Sequence, residues 1–139
     1  MPDKVLYTAT ARATGDGRSG HVVSSDRRLD LDLAPPVEMG GDGNGTNPEQ
    51  LFAAGYSACF HNALRVIARR AGVDPADSTV TAEVGIGRED KGYGLVVTLV
   101  IHVPGLEPEK TREIAEAARH VCPYSRATRG NISVELRVP

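Results

Sequence analysis

Two cysteines carry the most reactive side-chain chemistry available to this 139-residue chain. Cys59 lies in "GYSACFHNALRVIARR" (55–70) and Cys122 in "VCPYS" (121–125). A thiol among small apolar neighbours either packs as a small hydrophobe, free cysteines being among the most buried residue types, or reacts. Reaction needs a thiolate stabilised by positive charge, and a redox cycle needs a second thiol within reach. Their separation of 63 positions leaves both readings open. A metal site would require His61, His102, His120 and the cysteines to converge, and no C-x-x-C or H-x-x-x-H pair exists, so none is expected. His61 stands two residues from Cys59, on a different face of a helix, and is no candidate for its base. "GGDGNGTNPEQ" (40–50) lacks the Lys-Ser/Thr ending of a phosphate-binding loop and reads as a loop leading to a helix start. Arg18 in a turn, Glu49 at that helix start, and Arg126 and Arg129 around "ATRGN" each fit, taken singly, a solvated surface charge.

The elements that must position these groups follow from periodicity. "KVLYTATARAT" (4–14) reads as a strand, "GDGRSG" as a turn and "HVVSSD" as the returning strand of a hairpin. "LDLDL" (29–33) alternates, with Leu29, Leu31 and Leu33 on one face. "APPVEMGGDGNGTNPEQ" is an unusually long loop, of the kind that is functional or disordered. A helix then starts at a Thr46 or Asn47 cap, with Pro48 in its first turn and Glu49 complementing its dipole. Phe52, Tyr56, Cys59, Ala63, Val66 and Ile67 form its expected buried face, and Arg69, Arg70 and Gly72 close it. Residues 78–89 and 92–105 read as a hairpin turning near "EDKG". Residues 107–121 read as a second amphipathic helix, with Ile114, Ala117, Ala118 and Val121 on one side and an end near Cys122, before Pro123. "NISVELRV" is a last strand. The order βββ-α-ββ-α-β predicts an α+β protein built as a single domain over 1–139.

Composition bounds the rest. The chain is 40% hydrophobic, lacks tryptophan and carries a net charge of −2. A domain this small leaves room for a partner subunit to supply part of the core. The charge gives no reason to expect nucleic acid or an anionic membrane as partner. The N-terminal stretch has no apolar signal-peptide region, and no apolar run is long enough to span a bilayer. A cytoplasmic location is therefore expected, where two cysteines read better as a catalytic or redox-cycling pair than as a permanent staple.

Four stretches, "VLYTATARATGDGRSG", "GGDGNGTNPEQLFAAGYSACF", "GIGREDKGYGLVVTLVIHVPGL" and "VCPYSRATRGNISVEL", run in order over nearly the whole chain. Together they resemble the organic hydroperoxide resistance (Ohr) proteins of the OsmC/Ohr superfamily, and Pro-Tyr-Ser after the second cysteine resembles the Ohr branch. The resemblance implies an intertwined α+β homodimer, with a central helix carrying the reactive cysteine and active sites at the interface. It implies a thiol peroxidase for organic and lipid hydroperoxides, with no bound cofactor, recycled by dihydrolipoamide or lipoylated proteins. Cys59 matches the peroxidatic cysteine, Cys122 the resolving one, and Arg18 and Glu49 the pair that activates the thiol. On that basis Arg18 favours the Cys59 thiolate while Glu49 grips its guanidinium. An apolar rim of Leu51, Phe52, Tyr56 and Phe60 suits an alkyl chain. Arg126 and His61-Asn62 depart from the related sequences without removing a catalytic group. The alternatives are an OsmC-type stress peroxidase with another reductant or peroxide preference, and a redox sensor or carrier that does not turn over.

Overall fold

The computed structural model describes residues 1–139, which form two compact units, Met1–Pro48 and Glu49–Pro139. The first unit is an antiparallel sheet in the order β1 (Ala11–Thr14), β2 (His21–Ser24), β3 (Asp30–Asp32). Only the last four residues of the expected strand 4–14 are in it, because β2 itself is four residues long and pairs with no more than Ala11–Thr14. The preceding Val5, Leu6 and Tyr7 are 66%, 90% and 78% exposed. The turn between β1 and β2 is a short 3-10 helix, Gly17–Ser19, which carries Arg18. In β3 the alternation holds: Leu31 is half-buried between exposed Asp30 and Asp32, and Leu33 is buried.

The long loop after β3 is not structureless. A 3-10 turn, Val37–Met39, folds it back, and Gly41 and Gly43 N–H groups donate to Pro36 and Pro35 carbonyls at 3.0 and 3.1 Å. Its ends are tied by Ala34 N–H to Thr46 O at 2.9 Å and Thr46 N–H to Asp32 O at 3.0 Å. Backbone pairing of this kind satisfies the polar groups that a loop without strands leaves over.

The second unit holds the main core. Helix α1 (Pro48–Arg70) runs unbroken through Gly55. Tyr56, Phe60, Ala63, Leu64 and Ala68 are its buried residues, at the three-to-four spacing of one face. The stripe is therefore centred on Phe60 and Leu64, with Phe52, Cys59 and Ile67 packed at its edge and Val66 half-buried. It ends as the sequence indicates: Gly72 takes φ 73°, and Val73 N–H reaches back to Ala68 O at 2.8 Å. β4 (Thr79–Glu89) and β5 (Gly92–His102) form an antiparallel hairpin, and β6 (Val134–Arg137) adds to β5 in parallel. Val97, Leu99 and Ile101 of β5 join the α1 stripe in the core, with Ile114, Ala115 and Ala118 of α2 (Pro108–Arg119).

A third helix, α3 (Pro123–Thr128), corrects the expected order to βββ-α-ββ-α-α-β. Pro123 stops α2 from continuing, but a proline also suits the first position of a new helix. Val121, expected on the buried side of α2, lies past its end and is 44% exposed. No helix is long and apolar enough to cross a membrane.

Candidate active site

Cys59 comes from the middle of α1 and Cys122 from the start of α3. The two are free thiols, and the Cys122 thiol donates to the Cys59 sulfur across 3.4 Å. A disulfide needs about 2.05 Å, so the pair is poised and unbonded. Cys122 is fully buried, with φ −65° and ψ 119° at the N-cap of α3, where its sulfur accepts the Ser125 N–H at 3.5 Å. Cys59 is half-buried. Burial pushes its thiol pKa up, the Tyr124 backbone N–H pulls against that by donating to the sulfur, and the Cys122 hydrogen bond and charge push up again. These influences favour the protonated thiol.

Three aromatic rings from α1 and α3, the two helices that carry the thiols, pack on one another. The centroids of Phe52 and Tyr56 are 6.2 Å apart, of Phe52 and Tyr124 6.3 Å, and of Tyr56 and Tyr124 5.7 Å. The Tyr124 ring lies against α1 at Gly55: a Cβ there would stand 2.7 Å from the Tyr124 hydroxyl oxygen. Gly55 is thus the gap in α1 that admits Tyr124, not a break in the helix. Beneath the rings, the Tyr56 hydroxyl meets Ser125 Oγ at 2.9 Å and Thr128 Oγ1 at 3.1 Å.

Of the residues expected on an apolar rim, Leu51 and Phe52 are half-buried, whereas Tyr56 and Phe60 are 0% exposed and belong to the core. They belong to the buried stripe of α1, Tyr56 facing Ser125 and Thr128 of α3, so they offer no open surface. Tyr124, whose ring packs on those of Phe52 and Tyr56, is 40% exposed. The sequence reading names no role for Tyr124 and offers Gly55 as a possible break in the helix, whereas α1 is unbroken there and the glycine makes room for the Tyr124 ring. Arg18 sits in the 3-10 turn of the first unit, and Glu49 in the first turn of α1; each has an interaction partner. His61 faces away from any role as base, its Nε2 lying 3.0 Å from Ser78 Oγ. Arg126 is an exposed residue of α3. No cluster of three or more His, Cys, Asp or Glu side chains is placed to hold a metal.

The site thus brings together two free thiols, one of them capping a short helix, in an α+β chain. Comparison with known proteins agrees in family and fold. The family model of OsmC-like proteins matches residues 41–137. An organic hydroperoxide resistance protein of Xanthomonas axonopodis pv. citri is 52% identical over 137 residues, 97% of this chain and 96% of that one. The organic hydroperoxide resistance protein OhrB of Bacillus subtilis is 44% identical over 135 residues, 96% of this chain and 98% of that one. The crystal structure of an organic hydroperoxide resistance protein from Legionella pneumophila superposes with a TM-score of 0.90 at 48% identity, covering 97% of this chain and 98% of that one. The chain belongs to the organic hydroperoxide resistance family of the OsmC/Ohr superfamily.

Proposed function

We propose that the chain is a cysteine-based peroxidase that reduces organic hydroperoxides. The observation that carries this reading is the pair of free thiols 3.4 Å apart. The Cys59 thiolate attacks the outer peroxide oxygen, the O–O bond breaks, and the alkoxide leaves as alcohol after taking a proton. Cys59 is then a sulfenic acid. The Cys122 thiolate attacks that sulfur, hydroxide leaves with a proton as water, and a Cys59–Cys122 disulfide remains. A dithiol of the dihydrolipoyl class reduces it by two exchange steps, closing its own ring disulfide and returning both thiols.

Arg18 supplies the cation that lowers the Cys59 pKa, and Glu49 orients its guanidinium. Leu51, Phe52 and Tyr124 receive the alkyl portion of the substrate, which favours organic over hydrogen peroxide. The working form is a homodimer, consistent with the exposed, strand-like Val5-Leu6-Tyr7 that finds no partner strand in its own chain. The protein works in the cytoplasm, where lipoylated proteins are its reductant.

The test is steady-state reduction of tert-butyl hydroperoxide, a lipid hydroperoxide and hydrogen peroxide, with dihydrolipoamide as reductant. Sustained turnover, faster with the organic peroxides, is expected for wild type, none for Cys59→Ser, and a single turnover for Cys122→Ser. Equal cycling by Cys122→Ser and wild type refutes the resolving role. A wild type that reacts once and stops is a sensor or carrier instead, and one that prefers hydrogen peroxide or another reductant is an OsmC-type peroxidase.

A further inference from the structure

The buried hydroxyls behind Cys122 form a chain with a fixed direction. Thr128 Oγ1 donates to the Ser125 carbonyl at 3.2 Å, so its proton is committed. It therefore accepts the Tyr56 proton across 3.1 Å. The Tyr56 oxygen, having given its own proton, accepts from Ser125 Oγ across 2.9 Å. Every hydroxyl proton in the chain Ser125 to Tyr56 to Thr128 to the Ser125 carbonyl is used. All three residues are buried, Tyr56 at 0%, Ser125 at 6% and Thr128 at 7% exposure. The same Ser125 donates its N–H to the Cys122 sulfur, and Arg126 N–H holds the Cys122 carbonyl at 3.0 Å. Tyr56 belongs to α1, three residues before Cys59, and the other two belong to α3, so the chain fastens the segment that bears one sulfur to the helix that bears the other.

We propose that Tyr56 is a positioning residue for Cys122: its hydroxyl holds α3 on α1 so that the Cys122 sulfur stays next to Cys59, and so sets how fast and how firmly the disulfide closes. The inference rests on the disulfide of the proposed peroxidase cycle. Closing from 3.4 Å to bonding distance is a movement of about 1.4 Å, within what a capped helix start accommodates when its anchor holds. Without the anchor, the segment from Cys122 to Thr128 samples more positions, and the effective concentration of one thiol at the other falls. Pairing of the hydroxyls with one another also makes the position unique, since a buried polar chain has few satisfied alternatives. The loss of the Tyr56 hydroxyl need not unfold the protein. Tyr56, Ser125 and Thr128 line a cavity of about 130 Å³ with Arg119 and Arg129, and water entering there can satisfy the two hydroxyls left over.

The experiment compares Tyr56→Phe, Thr128→Val and Thr128→Ser with wild type. Each is treated with one equivalent of tert-butyl hydroperoxide, and sulfenic acid and disulfide are followed separately by trapping and mass spectrometry. Tyr56→Phe and Thr128→Val should both slow disulfide formation about tenfold, more than they slow sulfenic acid formation, and should accumulate sulfinic acid. Thr128→Ser, which keeps the hydroxyl, should behave as wild type. In dithiothreitol redox buffers, a measurement that needs no peroxide activity, the Cys59–Cys122 potential should rise in the first two variants. A tenfold weaker disulfide reads as about 30 mV. The result that overturns the proposal is a wild-type closure rate and potential in Tyr56→Phe and Thr128→Val, or the same loss in Thr128→Ser. If wild type forms no sulfenic acid, the peroxidase reading fails and the potentials alone decide the role of Tyr56. If wild type forms no Cys59–Cys122 disulfide even in the redox buffer, the positioning role falls with it.

Discussion

Replacing Gly55 by alanine sets two effects of similar size against each other. Glycine inside a helix costs about 1 kcal/mol relative to alanine, so the exchange alone should stabilise α1 by that much. The new Cβ, however, would stand 2.7 Å from the Tyr124 hydroxyl oxygen and 3.1 and 3.2 Å from two ring carbons, where ordinary contact begins at 3.4 Å. The ring must retreat by roughly 0.7 Å at its tip, and it can, because Tyr124 is 40% exposed. Retreat loosens its packing on Phe52 and Tyr56, contacts worth about 0.5–1.5 kcal/mol each when intact. The expected net change in stability is within about 0.5 kcal/mol of zero, against a gain of about 1 kcal/mol for a glycine that serves no purpose. Function should not be neutral. The Tyr124 N–H that donates to Cys59 moves with the ring, so Cys59 should be alkylated by iodoacetamide at a changed rate, and turnover should fall more for a bulky lipid hydroperoxide than for tert-butyl hydroperoxide. Thermal unfolding read beside alkylation kinetics settles the matter. A full stabilisation with unaltered Cys59 reactivity would show that Tyr124 does not rest on α1 at Gly55.

Arg18→Ala should move the alkylation midpoint of Cys59 above the ordinary thiol value of about 8.5, since burial then acts without an opposing cation, whereas Arg69→Ala should leave it alone. The sign for stability follows. In Arg18→Ala the buried neutral thiol adds stability that is whole below about pH 8.5 and is lost as pH rises through the higher folded value, a slope that Cys59→Ser in the same background should abolish. His21 is held between Asp32 at 2.7 Å and Asp30 at 2.5 Å, and these hydrogen bonds raise its pKa, Asp32 most. Its contribution is whole below about pH 6.5 and lost as pH climbs through the raised value, so the melting-temperature gap between wild type and His21→Gln should narrow over that range, and a constant gap refutes the ion pairing. A mixed dimer of one Cys59→Ser chain and one Glu49→Ala chain should retain about half of wild-type activity if Glu49 serves the partner's site, and only the Glu49→Ala level if it serves its own.

Much of this was readable from residue spacing because local rules acted without competition. The α1 bounds were set by Pro48 and Gly72, the β4–β5 hairpin by its alternation, and the pairing of Cys59 with Cys122 came from resemblance, as a separation of 63 positions hides any proximity. Three features escaped, each for a physical reason. Pro123 signals both the end of one helix and the first position of another, and only the packing of Ser125 and Thr128 against Tyr56 distinguishes them. Periodicity marks Tyr56 and Phe60 as apolar-facing but does not say whether sheet or substrate covers that face. Strand propensity in residues 4–10 is satisfied only where a second strand lies alongside, and β2 ends too soon to provide one.

The same division explains the resting state of the thiol. Residues 49–139 hold both sulfurs, 3.4 Å apart, together with the packed rings and the hydrogen-bonded hydroxyls of α1 and α3. What they do to the Cys59 pKa is raise it. A peroxidase built from these residues alone would be slow, because only the thiolate attacks. In the proposed peroxidase, the burial that raises the Cys59 pKa acts against the thiolate, and any cation that activates the thiol must outweigh the cost of burying the charge. An arginine suits that task better than a lysine, since its charge persists when desolvated and its planar donors also bind peroxide oxygens. Arg18, carried on a three-residue 3-10 turn between two short strands, is the side chain proposed for that work. On this account cover and cation act in opposition: loosening the cover should relieve the burial that raises the Cys59 pKa while widening the range of peroxides, and removing the cation should leave selectivity intact while abolishing speed.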